Sequence, residues 1–409
     1  MVHRSRVQAI AVVAVVLAAC MSVGAAAALA GSTHETAAKR AVGLGQARVV
    51  AREVRPCLVT APRRKTRARS TMARKTCAGT QAKLKVDPQP LYWGATIGSQ
   101  LTGAQAPWDT GALGAFEGIA GKSPSLIQFF QPFSECAGES CTFLGFPTTP
   151  METIRSRGAI PVLSWSSQSI PSTLEEPNFQ LSDVIAGTYD ASIREFAEEA
   201  AAWGHPFFLR FNWEMNGNWF PWSEGVNGNQ PGEFVTAWRH VHDIFAAVGA
   251  SNVSWVWCPF VAPAGSEQEL AAVYPGDAYV DWTGLDGYNW GTNPASPRGW
   301  RTFDQLFSKT YAQITSAIAP SKPLMIAELG SSEMGGSKSE WIAEALNEVP
   351  TEYPAVRALV WFDKYDDGMD WPVETSSSAA TAFAQGIGQA AYRGAEFGAL
   401  SGGPIAPPA

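Results

Sequence analysis

Pro206-Phe207-Phe208-Leu209-Arg210-Phe211-Asn212-Trp213-Glu214-Met215-Asn216-Gly217 begins as an apolar, aromatic run and stops abruptly on polar residues. A run this short and this aromatic, bounded by turn formers, reads as a buried strand over 206–211. Helical periodicity flanks it. Residues 183–203 place Ile193, Phe196, Ala200 and Trp203 on one stripe, and residues 232–248 repeat the pattern. A further apolar run follows at 253–258. Working outward, the same unit recurs: strand candidates at 91–97, 125–130, 160–165, 280–285, 323–328 and 356–362, with helical periods at 303–318, 339–347 and 379–392.

Eight strands alternating with helices require parallel crossovers. About 310 residues for eight units fits a closed (β/α)8 TIM barrel, an α/β fold. A doubly wound open sheet is the alternative, but no Gly-x-Gly-x-x-Gly follows the first strand and the even spacing suits closure. In such a barrel chemistry sits at the carboxyl ends of the strands, so polar residues that end apolar runs are the ones to inspect.

Charge divides the chain. Residues 31–90 hold 14 Lys+Arg against three acids, whereas residues 91–409 hold 14 basic and 34 acidic groups. An acidic main body would repel nucleic acid, so none is expected as a partner. Residues 1–30 read as an export signal: Arg4 and Arg6, an apolar run from Ala9 to Val23, then a small-residue site at Ala28-Leu29-Ala30. Leu17-Ala18-Ala19-Cys20 would alternatively suit lipidation of Cys20, and an uncleaved anchor is a third option; all place the mature protein outside the cytosol. The expected organisation is therefore a signal over 1–30, a basic and disordered arm over 31–90, a catalytic barrel over 91–394 and a Gly/Pro-rich tail over 395–409, acting as a monomer. Export permits disulfides. Cys136 and Cys141 flank a short Gly-containing loop, Cys57 and Cys77 are the next candidate pair, and Cys258 reads as a buried free thiol.

Two strand ends carry acids. The fourth ends on Glu214 amid Arg210, Trp213, Asn216, Trp219 and Trp222; the seventh runs Leu324-Met325-Ile326-Ala327-Glu328-Leu329-Gly330. A carboxylate in a barrel mouth costs desolvation unless something uses or neutralises it. Two of them facing one Trp-lined cleft are what glycoside hydrolysis needs: one protonates the leaving oxygen, the other attacks the anomeric carbon or activates a water, and indole faces stack on sugar rings. Trp93, Trp165 and Trp257 end other strands and are taken as further cleft residues, while Trp203, Trp238 and Trp341 lie in helices and are taken as packing. Asp363, Asp366, Asp367 and Asp370 suit either a solvated loop or the binding of sugar hydroxyls or calcium.

Arg210-x-x-x-Glu214-Met215-Asn216-Gly217-x-Trp219-Phe220-x-Trp222, followed 114 residues later by the acid of Ile326-Ala327-Glu328-Leu329-Gly330, resembles glycoside hydrolase family 26. The resemblance spans roughly residues 91–392. It implies a retaining glycosidase, best known as endo-β-1,4-mannanase, with Glu214 as acid/base and Glu328 as nucleophile. It also implies that Tyr288, in Asp286-Gly287-Tyr288-Asn289-Trp290, hydrogen-bonds the nucleophile, that Trp361 floors the reacting sugar and that Trp219 lines the cleft; Trp290, two residues after Tyr288, is taken as a further substrate-binding residue. One position departs: the family usually carries His before the acid/base, and here that residue is Trp213. Relatives acting on mixed-linkage β-glucan or β-1,3-xylan keep the chemistry on other backbones, so the polysaccharide partner is β-mannan or one of these. A non-catalytic polysaccharide-binding barrel is the rival reading. No cofactor or metal is called for: His240 and His242 are two apart in a helix and face different ways, and Gly330-Ser331-Ser332 lacks the second glycine of a nucleophile elbow.

Overall fold

The structure, a computed structural model, describes residues 87–138, 140–262, 270–294 and 298–409. The export segment with Cys20, the basic arm as far as residue 86 and the Cys57–Cys77 pair lie outside the described residues.

In chain order the elements are β1 (Leu91–Ile97), α1 (Thr110–Ala120), β2 (Leu126–Ala137), β3 (Ser140–Phe143), α2 (Thr148–Ser156), β4 (Ile160–Ile170), α3 (Leu181–Ile185), α4 (Asp190–Trp203), β5 (Phe207–Phe211), α5 (Glu233–Val248), β6 (Val253–Trp257), β7 (Trp282–Asn289), α6 (Phe303–Gln313), β8 (Leu324–Ser331), α7 (Lys338–Glu352), β9 (Val356–Asp363), α8 (Ser377–Ile387) and β10 (Tyr392–Arg393). Strands β1, β2 and β4 to β9 pair in parallel, and β1 meets both β9 and β2, so the sheet closes into an eight-stranded barrel. The eight apolar runs found in the sequence supply these strands.

Local chemistry sets the helix ends. Asp109 accepts from Gly111 N to start α1, Thr302 and Gln305 form a capping box on α6, and Ser337 and Ser376 cap α7 and α8. Gly204 and Gly249 end α4 and α5 in the left-handed conformation that glycine adopts without a Cβ penalty. The single helix expected over 183–203 breaks at Gly187, where φ is 82°, giving α3 and α4. Helices α1 and α2 carried no clear period, because Gly111, Gly114 and Gly118 dilute the apolar stripe of one and Thr and Pro occupy the start of the other. Beyond the barrel, β2 continues into an antiparallel hairpin with β3, closed by a Cys136–Cys141 disulfide; Cys258 is free and buried.

Side chains alternate along each strand between the barrel interior and the helix layer. Tyr92, Phe208 and Trp282, from three separate strands, meet at ring separations of 5.2–6.4 Å and fill the base of the interior. The end of the Gly/Pro-rich tail covers that base from below. Ile405 is buried, its N–H donates to Ser254 Oγ (2.7 Å), and its carbonyl accepts from Trp282 Nε1 (2.7 Å). Tyr92 donates to Ala406 O (2.9 Å). Arg357 reaches both ends of the barrel chain, donating from Nε to Pro90 O (2.9 Å) and from Nη2 to Pro408 O (2.5 Å).

Candidate active site

At the opposite, carboxyl end of the strands lies a cleft of about 510 Å³. Its acids come from β5 and β8. The chain leaving β5 is bent hard: Asn212 and Glu214 have φ of 44° and 54°, left-handed values that asparagine tolerates but that a glutamate seldom holds unless neighbours impose them. Neighbours do so. The Asn212 amide bonds both Ser167 N and Ser167 Oγ at 2.8 Å, and Glu214 N donates to Cys258 O at 2.7 Å. The bend carries the Glu214 carboxylate over the mouth. Glu328 projects from within β8, and Asp286 from β7; one oxygen from each of the three lies within 4.8 Å of the others.

Three buried carboxyl groups so close need a countercharge, and Arg210 provides it. Its side chain is fully buried; Nη1 donates to Glu328 Oε1 (2.6 Å) and to Ser164 Oγ (3.0 Å), while Nη2 pairs with Asp286. Burial works against the guanidinium's charge, but the combined pull of Asp286, Cys258, Glu328 and Glu214 holds its pKa well above the ordinary value. The three acids are the grouping of possible cation ligands among the described residues. Arg210 already supplies the positive charge a cation would bring.

The acids sit in unlike surroundings. Burial, with the charges of Asp286 and Glu328, pushes the Glu214 pKa well above the usual carboxylate range; Arg210 and a 2.6 Å hydrogen bond from Trp219 Nε1 oppose this. Glu328 receives donors on both oxygens, Arg210 on one and the Tyr288 hydroxyl on the other. That pattern satisfies an ionised carboxylate. Burial pushes Asp286 up to about 8 despite Arg210, and Cys258 donates to its second oxygen at 3.2 Å.

Of the residues singled out in the sequence, Glu214, Glu328, Trp213, Trp219, Tyr288 and Trp290 line the cleft together. Arg210 lies beneath it. Asn216 acts at its edge, its amide clamping Phe260 N and O at 2.8 and 2.9 Å. Five tryptophans are placed elsewhere, all fully buried. Trp93 packs on Phe383 of α8, Trp165 stacks 4.3 Å from Phe196 of α4, Trp257 packs on Tyr274 and donates to Val273 O, and Trp361 lies between Trp341 and Phe383. Each follows or precedes an inward residue by one position, so its ring faces the helices, not the cleft. Trp222 stacks behind Phe220 and Trp213 and donates to Trp213 O.

Their places are taken by residues the sequence reading did not single out for the cleft: Phe130, Phe260, Phe362, Trp371, Arg298 and Lys364; of the four aspartates after β9 offered as sugar or calcium ligands, Asp366 and Asp367 also line it. The loop after β9 is anchored by Lys338, whose ammonium donates to the carbonyls of Asp370 (2.5 Å), Trp371 (3.3 Å) and Pro372 (2.7 Å) and to Thr375 Oγ1 (2.9 Å). Burial pushes this ammonium down to about 8, against the pull of Asp370, Glu333, Asp363 and Glu374.

A closed (β/α)8 barrel with facing carboxylates on the strands that carry Glu214 and Glu328, in an aromatic cleft, defines a class of carbohydrate-active architecture. Residues 155–348 match the model of glycosyl hydrolase family 26. The chain is 33% identical over 302 residues to Endoglucanase H of Acetivibrio thermocellus; the match takes in 73% of this chain and 30% of that much longer protein. Two solved structures share the fold: the catalytic domain of an endo-β-1,4-mannanase from Bacillus sp. JAMB-750 (TM-score 0.58, 17% identity, 75% of this chain and 88% of that one), and the family 26 domain of an endo-β-mannanase/endo-β-glucanase from Prevotella bryantii (TM-score 0.54, 17% identity, 77% and 93%). The chain belongs to glycosyl hydrolase family 26.

Proposed function

We propose that this chain is a retaining endo-acting glycoside hydrolase that cuts a β-linked glucan. One observation carries the reading: within 4.8 Å of each other, one carboxyl group is held toward its protonated form and another is furnished with two donors as a carboxylate. The closeness matches the roughly 5–5.5 Å of retaining pairs and falls short of the roughly 6.5–9.5 Å that inversion needs for an intervening water.

The chemistry follows from these positions. A Glu328 oxygen attacks the anomeric carbon as the bond to the leaving oxygen breaks, and Glu214 gives that oxygen its proton. Glu214, now ionised, then takes a proton from water as the water oxygen displaces Glu328 from the anomeric carbon. Arg210 and Tyr288 aim the nucleophile and neutralise its charge at rest. Trp219 stabilises Glu214 in its ionised phase between the two steps.

Glucan is preferred to mannan on two grounds. The 33% identity to an endoglucanase runs through most of the barrel, whereas 25–27% identity to two mannan endo-1,4-beta-mannosidases covers 37–43% of this chain. In addition, the indole of Trp213 walls the cleft where the family usually carries histidine, a departure that counts against the family's best-known substrate, mannan. The reading includes export, on the strength of the segment at 1–30.

Reducing-sugar release from mixed-linkage β-glucan, β-1,4-mannan and β-1,3-xylan tests the backbone, and the anomer first formed, followed by proton NMR, tests retention. Glu214→Gln and Glu328→Gln should each lose several orders of magnitude in turnover. Wild-type activity in both variants, or a wild type inert on every glycan, would end the proposal.

A further inference from the structure

The aromatic side chains of the cleft fall into two groups, each tied to one acid. Phe130, Trp213, Phe362, Tyr288 and Trp371 are linked ring to ring, and Tyr288 bonds Glu328. Trp219 packs edge-on against Phe260 at 5.2 Å and bonds Glu214. A cation stands over a ring in each group. Lys364 lies 5.9 Å from the Phe362 ring and is paired with Asp366 at 2.8 Å. Arg298 lies 5.7 Å from the Phe260 ring, and its guanidinium has no acceptor among the described residues. It lines the cleft close enough to Glu214 for the two charges to interact.

The acid that protonates the leaving oxygen marks the side on which the departing sugar lies. The Trp219–Phe260–Arg298 group therefore belongs to the leaving-group side, and the group around Glu328 to the side of the sugar that becomes covalently bound. We propose that Arg298 is a recognition residue for the sugar immediately beyond the scissile bond, its forked N–H donors bonding ring hydroxyls of a saccharide that rests on the Trp219 indole. A guanidinium suits this task because its planar donor array matches neighbouring oxygens, and the ring beneath fixes its plane without consuming a donor. Trp219, 39% exposed, presents the indole face such a sugar would cover.

The assignment rests on Glu214 and Glu328 acting as proposed above, and the test separates the two. An aryl β-glycoside of a gluco-oligosaccharide loads the bound-sugar side and releases its phenol, leaving the glycosyl group on Glu328. Water or an added gluco-oligosaccharide acceptor then competes for the anomeric carbon. In either case Glu214 takes the attacking hydroxyl's proton, so the ratio of transfer product to hydrolysis product reads acceptor binding on the leaving-group side with the base held in common. Replacing Arg298 by Ala should lower that ratio at fixed, subsaturating acceptor by about tenfold to a hundredfold, the range expected for hydrogen bonds from a charged donor. Loss of kcat/KM on the polysaccharide should follow in the same direction. An unchanged ratio in a variant that still releases phenol overturns the role of Arg298 alone. A wild-type chain that releases no phenol overturns the Glu214–Glu328 reading, and this one with it.

Discussion

Replacing Arg210 by Met removes the one cation beneath three carboxyl groups while keeping most of the buried stem. Arg210 Nη1 lies 2.6 Å from Glu328 Oε1, and unit charges about 4 Å apart attract by about 4 kcal/mol at an effective dielectric of 20. Breaking a buried pair by deleting one partner costs about 3–5 kcal/mol in general, so the two figures agree. The penalty must depend on pH. Asp286 is already pushed up to about 8 in the folded protein, so the native cluster keeps a proton that the unfolded chain has lost, and stability falls as pH rises from about 4 to about 8. Removing Arg210 raises the carboxyl pKa values further and steepens that fall. Urea unfolding followed by tryptophan fluorescence should therefore show a loss of about 3–5 kcal/mol at pH 8 and a clearly smaller one at pH 5, with Asp286→Asn in the same chain recovering part of the difference at pH 8. Equal losses at both pH values, or a loss under about 1 kcal/mol at pH 8, would refute the charge clamp.

Trp219→Phe deletes the donor that favours ionised Glu214, so the Glu214 pKa rises and the alkaline limb of kcat/KM should move to higher pH; a limb that moves down or stays put contradicts the assigned hydrogen bond. Lys338→Met strands three loop carbonyls and should cost about 2–4 kcal/mol in urea unfolding. It should also raise KM, because Trp371 loses its anchor. Deleting residues 404–409 leaves Trp282 Nε1 and Tyr92 Oη without acceptors and uncovers the site of Ile405; a loss of about 4 kcal/mol or more in urea unfolding is expected, and wild-type stability would show that the base needs no cover.

The barrel was legible because its strands are apolar runs at even spacing. Either acid alone could have been half of an ion pair, as Glu328 is with Arg210; it was the two strand-end acids together with the aromatic residues around them that pointed to one cleft, and the structure brings both to it. Burial of the tryptophans was harder to read, for a reason of parity. On β9, Phe362 faces the cleft and Trp361 the helices; on β4, Ser164 reaches Arg210 while Trp165 stacks on α4. A strand end read one residue off exchanges wall for core, and composition alone favours naming the larger ring. Asp286 stood in a quoted motif but gave no sign of its role, since nothing local reveals that Arg210, 76 positions away, lies beneath it. Trp371 and Arg298 come from loops, where no period predicts direction. The closing segment, rich in Gly and Pro, looked like a tail because the bonds that hold Ile405, Ala406 and Pro408 reach residues far away in the sequence.

Arg357 brings together carbonyls that are 318 positions apart in the chain, Pro90 and Pro408, on a single guanidinium. In space the barrel polypeptide is thus nearly a loop already, with its seam on the face away from the sugar cleft. A short peptide bridging that seam would let the chain be reopened at another turn on the same face. Such a rearranged protein keeps every strand neighbour, and its cleft chemistry should survive the change of starting point.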